Sequence, residues 1–144
     1  MTEKTAAVHW EGQAKTGQGK ISTETGALTD YPYGFSSRFG DDQRGTNPEE
    51  ILAAAHAACF TMAFSFACEK AGLATSNVDT TASVRLSKQG DSFAIDRIAL
   101  TMQATVPGID AAKFLEIAAA AKCDCPLSKA LAGVAEITLQ ATPR

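Results

Sequence analysis

The chain has 144 residues, of which 45% are hydrophobic, and a formal net charge of −3 from 13 basic and 16 acidic side chains. Such a composition is too apolar for a disordered chain, and the dispersed charge offers no basic footprint for nucleic acid. The length fits one domain over residues 1–144, with a core that a second copy could complete.

The first residues, MTEKTAAVHWEG, lack the apolar run of a secretory signal, which predicts a cytoplasmic protein. From Ala6 to about Leu28, short strand-like pieces (AAVHWEG, GQGKIST, TGAL) are punctuated by glycines and read as a small antiparallel meander. The following TDYPYGFSSRFGDDQRGTNP shows no sustained period and reads as a long loop, a class that is usually functional or disordered.

Helix signals then strengthen. Asn47 is a good cap, Pro48 suits the first helical position, and Asn47 with Glu50 has the spacing of a capping box, so a helix should run to about Ala71 and stop at Gly72. Its apolar run, Ile51 to Ala67, is interrupted by His56, Thr61 and Ser65 and falls short of the roughly 20 apolar residues of a membrane span, which predicts a buried helix. Two alternating, β-branched segments meet at Gly90-Asp91 and predict a hairpin. After Pro107-Gly108, IDAAKFLEIAAAAKCD predicts an amphipathic helix, Cys125-Pro126 opens a second short helix to about Ala132, and VAEITLQAT alternates as a closing strand. This order is α+β rather than a doubly wound parallel sheet, and it contains no glycine-rich dinucleotide or phosphate-binding fingerprint.

The four cysteines, in a reducing compartment, read as thiols rather than as a disulfide framework. On a helix Cys59 shares an apolar stripe with Leu52, Ala55, Met62, Ala63 and Phe66, where periodicity alone favours a small buried hydrophobe. Cys125 differs, because the proline after it places the thiol at a helix N-cap, where backbone N–H groups stabilise a thiolate. Serine or aspartate would cap better, so cysteine at this position points to redox chemistry. Cys68 lies off the Cys59 stripe and reads as packing. Cys123 forms a Cys-x-Cys with Cys125, yet neither the other cysteines nor the two histidines complete a recognisable zinc spacing.

Glu49 and Glu50 occupy the first helical turn, which the helix dipole favours whatever the function. With Glu50 assigned to the capping box, Glu49 is free to hold Arg38 or Arg44 from the preceding loop. An arginine so fixed could favour the Cys59 thiolate and donate to an oxyanion. His56, one turn from Cys59, is the rival activator, although a histidine in such a run is more often a hydrogen-bonded core or interface residue. His9 and Trp10 read as structural, and Tyr31, Tyr33, Phe35 and Phe39 either wall an apolar pocket or anchor the loop.

The segments YGFSSRF, GTNPEEILAAAHAACFTMAFS, VPGIDAAKF and CPLSKAL, with VHWEG near the start and AEITL near the end, together resemble the OsmC/Ohr family, in particular its OsmC branch. The resemblance covers essentially the whole chain. It implies antiparallel sheets around a long central helix, an intertwined homodimer with sites at the subunit interface, and thiol-dependent reduction of organic hydroperoxides and, less readily, hydrogen peroxide. By position it makes Cys59 the peroxidatic cysteine, Cys125 the resolving one that closes a disulfide with it, and Glu49 the acid that pairs a catalytic arginine, for which Arg38 is the candidate. It implies no metal, flavin or haem, and an external dithiol, such as lipoyl groups on a partner protein, as reductant. Two alternatives stand beside it: a redox-sensing or apolar-ligand-binding dimer without turnover, and a hydrolase built on Cys59 and His56.

Overall fold

The computed structural model describes residues 1–144, and its contacts group into two compact units, Met1–Ile51 and Leu52–Arg144. In the first unit, β1 (Ala6–Glu11), β2 (Gln18–Thr23) and β3 (Tyr31–Gly34) form an antiparallel sheet in that order. The meander is therefore present, but its third strand is not TGAL. Thr23 N–H donates to Leu28 O at 2.9 Å and Leu28 N–H to Thr23 Oγ1 at 3.0 Å, closing a turn in which Gly26 adopts φ +77°. The third strand falls inside the stretch expected to be loop. There Tyr33 sets its ring 5.5 Å from that of Trp10 and lies so close to Gly19 that a Cβ at that position would strike it. A short helix, α1 (Phe35–Phe39), follows directly. Both elements are too short for periodicity to reveal them.

Helix α2 (Pro48–Lys70) starts as its caps predict: Asn47 Oδ1 accepts from Glu50 N–H at 2.8 Å. The reciprocal half of the capping box is not made, because the Glu50 carboxylate accepts instead from Thr46 Oγ1 at 2.6 Å. At the other end Gly72 takes φ +75°, and Leu73 N–H reaches back to Cys68 O at 2.9 Å, the left-handed stop that glycine makes inexpensive.

In the second unit, β4 (Asn77–Gln89) and β5 (Ser92–Thr105) form the expected hairpin around Gly90-Asp91, with Gly90 at φ +62°. Helix α3 (Ala111–Asp124) is capped by Asp110, whose carboxylate accepts from Lys113 N–H at 2.9 Å. Then come α4 (Pro126–Ala130) and β6 (Glu136–Pro143). β6 pairs with β5 in parallel, so this sheet, ordered β4-β5-β6, is mixed rather than wholly antiparallel. The reason is the α3–α4 connection, a crossover long enough to return the chain to the starting end of β5.

The core of this unit joins Phe60, Phe64 and Cys68 of α2 to Leu100, Met102 and Ala104 of β5 and to Phe114, Ile117, Ala118 and Ala121 of α3. Phe64 and Phe114 meet edge to face with ring centres 5.4 Å apart. Each buried phenylalanine contributes roughly 1.5–3 kcal/mol of transfer free energy. The expectation of a buried α2 needs correction, however. His56, Phe60, Phe64 and Cys68, spaced four apart, are buried, while Met62 and Phe66 are 60% and 63% exposed. By length and composition α2 could also cross a membrane. The three residues that interrupt its apolar run each have a partner within the chain, His56 Nε2 at Ser128, Thr61 at Thr80 at 2.7 Å and Ser65 at Thr75 at 3.1 Å, while His56 Nδ1 has none.

Candidate active site

Two sulfurs meet where α2 passes the start of α4. Cys59 Sγ and Cys125 Sγ lie 3.1 Å apart and both are free thiols, so either can share its proton with the other. Cys125 is the N-cap of α4 and is buried, with Pro126 at the first helical position, as the Cys-Pro pair predicts. Against the cost of burial, the Ser128 N–H and the hydrogen bond with Cys59 draw its pKa below the usual 9.0, helped by the Ser128 hydroxyl and the Leu127 N–H. The Ser128 and Leu127 groups form no closed capping hydrogen bond; they act as oriented dipoles around the sulfur. Burial pushes the Cys59 thiol up instead, offset in part by Leu127 N–H, and the neighbouring Cys125 raises it further. Of the pair, Cys125 holds the negative charge more readily within this chain.

Cys59 also opens onto a cavity of about 460 Å³ lined by Met62, Ala63, Phe66, Ala67, Ala121 and Pro126, with Lys70 and Asp124 as its charged members. Of the stripe expected from helical spacing, Cys59, Met62, Ala63 and Phe66 line this pocket, and Cys59 and Ala63 also pack against the core. The fully buried positions belong to the stripe beginning at His56.

His56 is fully buried with Nε2 2.9 Å from Ser128 Oγ, so its recorded partner is a hydroxyl and not Cys59. The geometry favours the reading of a hydrogen-bonded core histidine over that of an activator. Cys68 is buried in the core and its pKa is raised by burial, the profile of an inert thiol. Cys123 is exposed, one residue from Asp124. No group of three or more His, Cys, Asp or Glu side chains is placed to hold a metal ion.

In the first unit, Arg38 and Glu49 form a two-pronged pair: Arg38 Nε donates to both carboxylate oxygens at 3.2 Å and Nη2 to Oε1 at 2.7 Å. The Arg38 side chain is 37% exposed and that of Glu49 11%. A pair this open to solvent adds at most about 1 kcal/mol of stability, so its value lies in fixing where the guanidinium points. Ser37 Oγ donates to Thr46 O at 2.8 Å and Asn47 Nδ2 to Ser37 O at 3.1 Å, which pins α1 to the cap of α2 and brings Arg38 to Glu49. Arg44, the other candidate, pairs with Asp42 at 2.9 Å instead. The guanidinium of Arg38 stands 5.3 Å from the Phe39 ring centre, and Phe35 and Phe39 stack at 4.9 Å. Tyr33 and Trp10 anchor the sheet.

Ser128 escaped the sequence reading. The signal was available, since a residue three beyond an N-cap faces the capping side chain.

Residues 40–140 match the family described as OsmC-like protein. The chain is 51% identical over 136 residues to the peroxiredoxin OsmC of Escherichia coli K12, an alignment covering 94% of this chain and 93% of that protein. It is 28% identical over 123 residues to the organic hydroperoxide resistance protein OhrB of Bacillus subtilis, covering 85% and 88% of the two chains. The crystal structure of that OhrB superposes with a TM-score of 0.72 over 96% of this chain and 98% of its own. With the two facing cysteines, the mixed second sheet and a match spanning most of the sequence, the chain belongs to the OsmC-like protein family.

Proposed function

We propose that the protein is a thiol-dependent peroxidase that reduces organic hydroperoxides, and hydrogen peroxide more weakly, to the corresponding alcohols or water. The observation that carries this reading is the pair of free sulfurs 3.1 Å apart beside an apolar cavity. The printed activities of the relatives, a peroxiredoxin and hydroperoxide resistance proteins, support the same chemistry. The alternative of a ligand-binding dimer without turnover explains the cavity but not two facing thiols, and a redox-sensing dimer, which would use both, differs from the peroxidase in having no catalytic turnover. A Cys59–His56 hydrolase lacks its hydrogen bond.

In the proposed cycle the hydroperoxide places its organic group against Met62 and Phe66. Cys59, as thiolate, donates an electron pair to the distal peroxide oxygen. The O–O bond breaks, Cys59 becomes a sulfenic acid, and the alkoxide leaves and takes a proton. A thiol pushed up by burial needs a cation to ionise at neutral pH. Arg38, aimed by Glu49, is the residue we assign to that task and to stabilising the departing oxyanion. The homodimer implied by the family resemblance is the assembly in which we place this arginine beside Cys59. Cys125 then condenses with the sulfenic acid, and an external dithiol, of which a protein-borne lipoyl group is one example, reopens the disulfide by exchange. The protein acts as one domain over residues 1–144 in the cytoplasm, without metal or prosthetic group.

The test is steady-state consumption of cumene hydroperoxide and of hydrogen peroxide by the wild-type protein, with dihydrolipoamide and glutathione compared as reductants. Turnover with the dithiol and a preference for the organic peroxide is expected. Binding of peroxide or apolar ligand with no turnover under any dithiol would leave the non-enzymatic reading standing.

A further inference from the structure

The cycle above uses neither His56 nor Ser128, yet the two are joined and stand at the resolving cysteine. His56 is fully buried; Nε2 lies 2.9 Å from Ser128 Oγ, and Nδ1 is buried with no partner. Burial pushes the imidazole pKa below its usual 6.5, so the ring is neutral and carries one proton. On Nδ1 that proton would make a buried N–H with nothing to accept it, an arrangement folded proteins avoid more strictly than an idle acceptor. On Nε2 it donates to Ser128 Oγ. The Ser128 hydroxyl hydrogen is then free for another acceptor.

That acceptor is at hand. Ser128 is the third residue of the sequence after the N-cap Cys125, the position whose groups face a capping side chain. No hydrogen bond from Ser128 closes on the Cys125 sulfur, but its N–H and hydroxyl, with Cys59, are near enough to lower that thiol's pKa. The other titratable groups around Cys125 are Cys59 at 3.1 Å and, on the solvent side, Asp124 and Lys129, largely exposed and paired with each other at 3.9 Å.

We propose that His56 and Ser128 are positioning residues for Cys125: His56 Nε2–H holds the Ser128 oxygen so that the hydroxyl hydrogen faces the Cys125 sulfur and keeps negative charge there for the attack that closes the disulfide. The proposal rests on the two-cysteine cycle. In that step the Cys125 thiolate donates an electron pair to the sulfenic sulfur of Cys59. The S–S bond forms, the S–O bond breaks, and hydroxide leaves to be protonated by solvent as water. Ser128 transfers no proton and His56 stays neutral.

The experiment uses the full chain, reduced and then mixed with one equivalent of cumene hydroperoxide, with disulfide closure followed against pH and sulfenic acid trapped by dimedone. Ser128→Ala should slow closure about threefold, the weight of an oriented dipole beside a charged sulfur, raise the pH midpoint of closure and increase trapped sulfenic acid. Ser128→Thr, which keeps the hydroxyl, should restore all three. His56→Gln, whose amide can still donate, should behave as wild type, and His56→Phe as Ser128→Ala. Equal closure in the alanine and threonine variants would overturn the proposal. A second readout is independent of peroxide: in a Cys59→Ser, Cys68→Ala, Cys123→Ser protein, where Cys125 is the one thiol left, thiolate absorbance against pH reports Cys125 directly. Ser128→Ala must raise that midpoint, and an unchanged midpoint overturns the proposal whatever the peroxide result. A wild-type protein that forms no sulfenic acid, with the midpoint shift intact, would sink the peroxidase reading alone.

Discussion

The two faces of α2 are nearly equal in apolar character and opposite in use. One carries His56, Phe60, Phe64 and Cys68 into the core; the other carries Cys59, Met62, Ala63 and Phe66 along the cavity. Burial raises the pKa of both helix thiols, but Cys68 on the first face has no sulfur beside it, whereas Cys59 on the second faces another sulfur at 3.1 Å. Hydrophobicity therefore does not mark the core of this protein. A helix apolar all round distributes its faces according to what packs against each.

The sharpest way to break this contrast is at the two helix cysteines. Cys59→Ser is expected to lower hydroperoxide turnover by about a thousandfold or more, since the nucleophile itself is removed. Cys68→Ser should leave turnover within about twofold while placing a hydroxyl in the core at a cost of about 1–3 kcal/mol. Steady-state peroxide consumption and urea denaturation of both variants separate the effects.

The phenylalanines provide the same test in packing. Phe64→Ala should cost about 3–5 kcal/mol in chemical denaturation, because it empties a site closed by Phe114. Phe66→Ala should cost under about 1 kcal/mol and instead raise KM for bulky aryl hydroperoxides. Equal stability losses would show that the cavity face is also core.

A smaller effect is expected from the two loop arginines. Arg38→Ala should reduce kcat/KM by about a hundredfold, the loss of one oriented donor to a developing oxyanion, and Arg44→Ala by less than about twofold. Comparable losses would move the catalytic cation away from the Glu49 pair.

The smallest effect is on acid stability. His56 has a folded pKa depressed below 6.5 by burial, so as pH falls through that value the unfolded chain takes up a proton that the folded chain resists. Stability should then decline with falling pH, and His56→Gln should flatten the decline. Thermal midpoints measured between about pH 7 and pH 5 would check the sign, and a midpoint that rises on acidification would contradict it.

Local chemistry was enough to place the long helix, the hairpin and Cys125 as a cap, whereas for Cys59 periodicity favoured a buried hydrophobe and only the family resemblance singled it out. Asn47, Pro48 and Gly72 act within a few residues of themselves, Gly90-Asp91 marks its own turn, and the proline after Cys125 makes that residue a cap wherever the helix lies. The Glu49 pairing with a loop arginine was also readable, and the family resemblance named Arg38 as the candidate. How Arg38 reaches Glu49 depends on the Ser37 and Asn47 hydrogen bonds that hold α1 against the cap of α2.

Other features depended on partners distant in the chain. β3 exists because β2 offers it an edge, and β6 runs parallel to β5 because the α3–α4 crossover returns the chain to the same end. The role of each α2 face and the bond from His56 to Ser128, 72 residues apart, came from packing that no periodicity encodes. The physical reason is range: caps and turns are decided by neighbours in sequence, whereas burial and the meeting of two sulfurs are decided by neighbours in space.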